Sequence, residues 1–153
     1  MSVYLVQHGK AKKEDEDPQR PLSSEGEEET GKVASFLYQV PLKVNRIFHS
    51  PKLRACQTAG IFASQLNPAA LVEERDGLAP KDDPLIWKER LENERGDLMV
   101  IGHLPHLSRL ASLLLCDDAD SEPVHFTNSC VLCLEKEGDR WSVNWIVVPH
   151  ILL

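Results

Sequence analysis

Leu98-Met99-Val100-Ile101 is an unbroken apolar run, and it ends in Gly102-His103. A run this short with no polar position has no wet face. It suits a strand covered on both sides, at the centre of a parallel sheet. Such a sheet needs helices on both faces, and the flanking sequence offers them. Val3 to Val6 is a second apolar run, ending in Gln7-His8-Gly9. Ser24-Glu25-Gly26-Glu27 resembles a capping box opening a helix. Val33, Phe36, Leu37 and Val40 then give the i, i+3, i+4, i+7 spacing of its buried face, and Pro41 ends it. Val44 to His49 reads as a strand, and Ser50-Pro51 as the opening of a second helix. Leu71-Val72 suits a short strand. Pro84 to Arg95 suits a helix carrying Leu85, Trp87 and Leu91, and Leu107 to Leu115 a buried helix. Cys130 to Leu134 and Trp141 to Val148 suit two strands around a turn at Glu137-Gly138-Asp139. Trp87, Trp141 and Trp145 are expected in the core or against the sheet. The expected class is α/β, a three-layer fold with a mostly parallel central sheet flanked by helices. Residues 1–153 are expected to form one domain.

Several function classes are disfavoured. The net charge of −7 argues against a nucleic-acid binder. No apolar run approaches the roughly 18 residues of a membrane span, and the first residues show no signal peptide. A cytoplasmic protein is expected. Cys130 and Cys133 lie in an alternating stretch, so they face opposite sides of a strand and suit neither a disulfide nor a shared metal. Acidic residues from Glu14 to Asp17 and Glu27 to Glu29 read as a solvated loop and a helix start.

Two strands thus end in a histidine beside a glycine, and ligands of open α/β sheets bind beyond the carboxyl ends of strands. Ser50-Pro51-Lys52-Leu53-Arg54 follows a third strand. A helix N-terminus there offers unpaired N–H groups to an anion, and Arg54 offers a fork of donors matched to phosphate oxygens. Two imidazoles, an arginine and a helix start at one sheet edge describe a phosphate pocket.

The segments Val6-Gln7-His8-Gly9, Arg20-Pro21-Leu22-Ser23, Ser50 to Thr58 and Ile101 to Pro105 resemble the histidine phosphatase (phosphoglycerate-mutase-like) superfamily. The small size and the stretches Phe126-Thr127-Asn128-Ser129 and Asn144-Trp145 are similar to its short SixA-type branch. The resemblance implies that His8 is a nucleophile that becomes phosphohistidine, that Arg54 binds phosphate, and that His103 stabilises the transferring group. It places Arg20 near the pocket, with Gln7, Gly9 and Ser50 as further substrate-binding positions. The family usually carries arginine where this chain has Gln7. No metal and no cofactor are implied. The implied partners are phosphate and a phosphohistidine-bearing protein such as a histidine-phosphotransfer domain, approached by a monomer.

Neutral imidazole is a competent nucleophile near neutral pH, its ordinary pKa being about 6.5. An imidazole leaving group needs little help from an acid, whereas an alkoxide needs a proton. Asp82 and Asp83 are the candidate acids, and Asp83-Pro84 also reads as a turn or helix cap. Hydrolysis of small phosphate esters and a non-catalytic phosphate-binding role stay open beside the phosphohistidine reading. His106, at the start of a helix one residue past Pro105, is a candidate to line the pocket, though a partly exposed surface histidine is the expected reading. His49, His125 and His150 are expected in structural or surface positions.

Overall fold

The computed structural model describes all of residues 1–153. Six strands form one sheet: β1 (Ser2–Gln7), β2 (Arg46–His49), β3 (Leu71–Glu74), β4 (Leu98–Gly102), β5 (Val131–Glu137) and β6 (Arg140–Val147). Their order is β3-β2-β4-β1-β5-β6. The pairs β2–β3, β2–β4 and β1–β4 are parallel, and β5 and β6 add an antiparallel hairpin beside β1. The apolar run that ends in Gly102 is the central β4, buried along its whole length.

Period-two alternation divides the strands between two cores. Tyr4, Val6, Met99, Ile101 and Cys133 face one side, where they meet Val33, Leu37, Ala55, Ala59 and Phe62. Those partners lie on α1 (Ser24–Tyr38) and α2 (Leu53–Leu66). Val3, Leu5, Val100 and Leu132 face the other side, against Trp87, Leu91, Leu107 and Leu110. These come from α3 (Pro84–Asn93) and α4 (His106–Cys116). Cys130 and Cys133 fall in opposite cores, and all four thiols are free. Trp87 is fully buried and its indole N–H donates to the Asp76 carbonyl at 2.9 Å. Satisfying that donor leaves the ring free to contribute its apolar area.

Helix boundaries and faces depart from expectation in instructive places. Ser23, not Ser24, caps α1, its hydroxyl accepting from the Gly26 N–H at 3.0 Å. The buried face of α1 is Gly26, Thr30, Val33, Ala34 and Leu37, while Phe36 is 42% exposed. A helix advances 100° per residue, and a face centred on residues 30, 33 and 37 turns position 36 outward. Leu85 is likewise exposed on α3, where Trp87 and Leu91 do the packing. Pro51 precedes α2 rather than sitting in its first turn, because Lys52 is the cap residue.

Gly26 is at that first turn for a steric reason. A Cβ there would lie 2.0 Å from the Lys10 carbonyl oxygen, whereas a Cβ at Gly31 would meet nothing within 4 Å. The two glycines of one helix should therefore respond oppositely to alanine. Gly31→Ala should stabilise by about 0.5–1 kcal/mol, the helix-propensity difference. Gly26→Ala should destabilise by about 1–3 kcal/mol through forced displacement of the loop after β1. Urea unfolding of both variants checks the pair, and equal shifts would contradict the packing.

Candidate active site

Three adjacent parallel strands, β2, β4 and β1, end at one sheet edge, and each delivers a polar residue there. The His8 N–H extends the β1–β4 ladder to the Gly102 carbonyl at 3.1 Å, and the Ser50 N–H reaches the Ile101 carbonyl at 3.2 Å. The helices after β1 and β2 pack on one sheet face and the helix after β4 on the other. Such a divergence opens a crevice at the carboxyl ends of the strands. His8 and His103 sit in it with ring centroids 4.9 Å apart.

The loop carrying His8 is held from several directions. Its carbonyl accepts from the Asn128 side-chain amide at 3.0 Å and the Ser129 N–H at 3.3 Å. The Gly9 N–H donates to the Thr58 hydroxyl at 3.0 Å, and that hydroxyl donates to the Arg54 carbonyl at 2.7 Å. A Cβ on Gly9 would stand 2.6 Å from the Thr30 hydroxyl, so only glycine fits. Thr30 in turn bonds the Ser129 hydroxyl at 2.8 Å. Ser129 holds a left-handed backbone, φ 64°, as does Arg20, φ 47°. Non-glycine residues adopt such angles at a cost, and they cluster at functional sites.

The His8 Nδ1 lies 2.6 Å from the Gly9 carbonyl oxygen. A carbonyl can only accept, so Nδ1 carries the proton and Nε2 keeps its lone pair. Burial lowers the His8 pKa from 6.5 to about 4, and the nearby Arg54 and Arg20 charges push the same way. His103 is lowered further, to about 3, by burial and then by His8 and Arg54. Both imidazoles are therefore neutral at physiological pH.

Arg54 lies in the first turn of α2, with its Nε buried and without a protein partner. Burial and the Arg20 charge lower its pKa. Arg20 donates through Nε to the Lys12 carbonyl at 3.1 Å. Its segment is tied to α2 by the Leu22 N–H, which donates to the Gln57 side chain at 2.8 Å. Arg20, Lys52 and Arg54 line a cleft of about 520 Å³ together with Glu14 and Gln19. Cations without carboxylate partners along one cleft make it a seat for an anion.

Other expected positions fall as follows. Gln7 is buried at the end of β1, and its Oε1 has no partner. The Ser50 hydroxyl bonds His103 Nε2. Asp83 caps α3 by accepting from the Leu85 N–H, and Asp82 accepts from the Ala79 N–H, so both carboxylates hold backbone. His106 is not a surface residue. It is 1% exposed, both ring nitrogens lack partners, and burial lowers its pKa to about 4. The burial follows from the turn after β4, which folds residue 106 inward beside Leu107. His49 is buried with Nδ1 on the Ser50 carbonyl, and His125 and His150 are exposed. No group of three or more His, Cys, Asp or Glu is arranged to hold a metal ion. Among the loop supports, Thr30 alone lies outside the motifs visible in the sequence; only the fold brings it to Gly9.

Residues 3–80 match the model of the histidine phosphatase superfamily, branch 1. An uncharacterized protein of Picosynechococcus sp. is 39% identical over 122 residues, covering 74% of this chain and 73% of that protein. The phosphohistidine phosphatase SixA of Escherichia coli strain K12 is 28% identical over 97% of this chain and 94% of its own length. The solved structure of a protein histidine phosphatase SixA complexed with tungstate superposes with a TM-score of 0.87, at 28% identity and 99% coverage of both chains. An alpha-ribazole phosphatase from Shigella flexneri shares the fold at 14% identity, with a TM-score of 0.76 over 94% of this chain and 95% of its own.

Three buried imidazoles with lowered pKa values set the acid stability. The unfolded chain binds protons near pH 6.5, while the folded chain resists them until about pH 4 or below. Stability should therefore fall as pH drops from about 6.5 toward 4. His106→Leu removes one buried imidazole and should lessen that fall by on the order of 1–3 kcal/mol. Denaturant titrations of both proteins at a series of pH values check this. An unchanged pH dependence in the variant would contradict it.

Proposed function

The chain belongs to the histidine phosphatase superfamily, and from that premise we propose that it is a phosphohistidine phosphatase acting on a phosphorylated protein. The observation that carries the reading is the His8 ring. Its Nδ1 is engaged by the Gly9 carbonyl, which leaves the lone pair on Nε2, and the neutral ring lies 4.9 Å, centroid to centroid, from that of His103.

In this reading His8 Nε2 attacks the phosphorus in line. The P–N bond of the substrate breaks as the new Nε2–P bond forms, and the departing imidazole takes a proton from solvent. Water then attacks phosphorus, its proton leaves to bulk, and inorganic phosphate departs with His8 restored. Splitting the reaction in this way replaces one hard step by two easier ones. Arg54 and the first turn of α2 face the equatorial oxygens, where charge stabilisation contributes most. His103 supplies an N–H to the same oxygens. Gly9 lets the loop approach closely, Arg20 stands at the cleft rim, and Gln7 contributes a neutral donor. An anion-binding pocket of this kind also agrees with the tungstate in the SixA structure.

The roles of the nearby aspartates bear on the substrate class. Asp82 and Asp83 each hold a backbone N–H, so neither is placed as a ready acid for an alkoxide leaving group. Imidazole leaves without one. A histidine-phosphotransfer domain is the partner we favour. The four free thiols suit the reducing cytoplasm. The similarity to SixA over nearly the whole chain points the same way.

Two outcomes are expected. Brief incubation with a phosphorylated histidine-phosphotransfer protein should label the enzyme with an acid-labile, base-stable phosphate, and His8→Ala should abolish the label. Labelling that survives in His8→Ala, or faster turnover of a simple ester than of the phosphoprotein, would overturn the reading. Gln7→Arg should tighten vanadate binding about tenfold. A charge-assisted bond contributes about 1.5–3 kcal/mol against a smaller neutral bond, less the ordering of a longer side chain. Calorimetry with vanadate measures this, and unchanged affinity would mean that Gln7 is turned away from the anion.

A further inference from the structure

Ser50 is fully buried, and its hydroxyl touches two groups. One is the Lys52 backbone N–H, 3.3 Å away, and the other is His103 Nε2. A backbone N–H only donates, so toward Lys52 the Ser50 oxygen is an acceptor. Its single proton is then free to go to His103. His103 is neutral, because burial and its neighbours His8, Arg54, Lys52 and His106 all disfavour a second proton. A neutral imidazole has one N–H and one lone pair, and the partner of one nitrogen decides the state of the other. If Ser50 donates, Nε2 is the lone pair and Nδ1 carries the hydrogen. Nδ1 is buried and has no partner within the protein. A buried donor without an acceptor is costly, and an oxygen of a bound phosphoryl group would satisfy it.

We propose that Ser50 is a positioning residue that locks His103 in the Nδ1–H tautomer, so that an N–H rather than a lone pair meets the transferring phosphoryl group. The opposite tautomer would set a lone pair against a phosphoryl oxygen and repel it. Ser50 thus acts through His103 and does not touch the phosphate. The tautomer itself concerns the free protein; only its use in phosphoryl transfer rests on the function proposed above.

Nitrogen-15 imidazole shifts of histidine-labelled protein at pH 7 distinguish the two tautomers without any substrate. Wild-type His103 should be protonated at Nδ1. In Ser50→Ala the Nε2–H form should appear, and kcat for phosphoramidate should drop about tenfold with KM nearly unchanged, one lost hydrogen bond's worth. Ser50→Thr, which keeps the hydroxyl, should hold the Nδ1–H signal. Wild-type His103 protonated at Nε2 would overturn the proposal, and so would Ser50→Ala with unaltered tautomer and kcat. If the wild type showed no turnover of P–N substrates, the phosphatase reading would fail, while the nitrogen shifts would still decide the Ser50 assignment.

Discussion

One hydrogen bond orders the rest of the site: His8 Nδ1 to the carbonyl of Gly9, the residue next to it. It decides which ring nitrogen carries a hydrogen and which keeps its lone pair. The bond needs the Gly9 carbonyl turned back toward the ring, and that conformation brings Gly9 hard against Thr30. The absence of a side chain at Gly9 and at Gly26 lets the loop lie directly on α1. Thr58, Asn128 and Ser129 then satisfy the polar groups that the loop exposes. Supports from α1, α2 and the segment before β5 converge on one short loop. That convergence is how a loop is made as rigid as a strand.

The electrostatics follow from the same burial. Burial disfavours the charged form of both imidazoles, and their 4.9 Å separation and the adjacent arginines raise the cost of charging them further. The protein carries a net charge of −7, yet Arg20, Lys52 and Arg54 converge on one cleft. The contrast concentrates positive potential where an anion would sit. Arg54, with a buried Nε lacking a partner, is the group whose desolvation a bound oxyanion would offset most.

Strand-level features were legible in the sequence because they are local. The run Leu98 to Ile101 has one stable use, a covered strand, and the histidines at the ends of two such strands mark the sheet edge. The mixed sheet was readable too, since the hairpin of β5 and β6 carries its own turn at Gly138. What failed depended on partners distant in the chain. Periodicity alone placed Phe36 inside, because it cannot tell where the centre of a helix face lies against the sheet. His106 was assigned to the surface, since nothing near it in sequence reveals that the turn after β4 rotates it inward. The Ser50–His103 contact was hidden in the same way, because the two residues lie 53 positions apart in the chain and meet only through β-strand pairing.

The central claim is that His8 attacks through Nε2 because Nδ1 is taken. Phosphohistidine exists as two isomers, phosphorylated at Nδ1 or at Nε2, and phosphorus NMR of the trapped, denatured phosphoenzyme separates them. The predicted result is the Nε2 isomer at His8 alone, confirmed by peptide mapping. The Nδ1 isomer, or a phosphate on any other residue, would contradict the account.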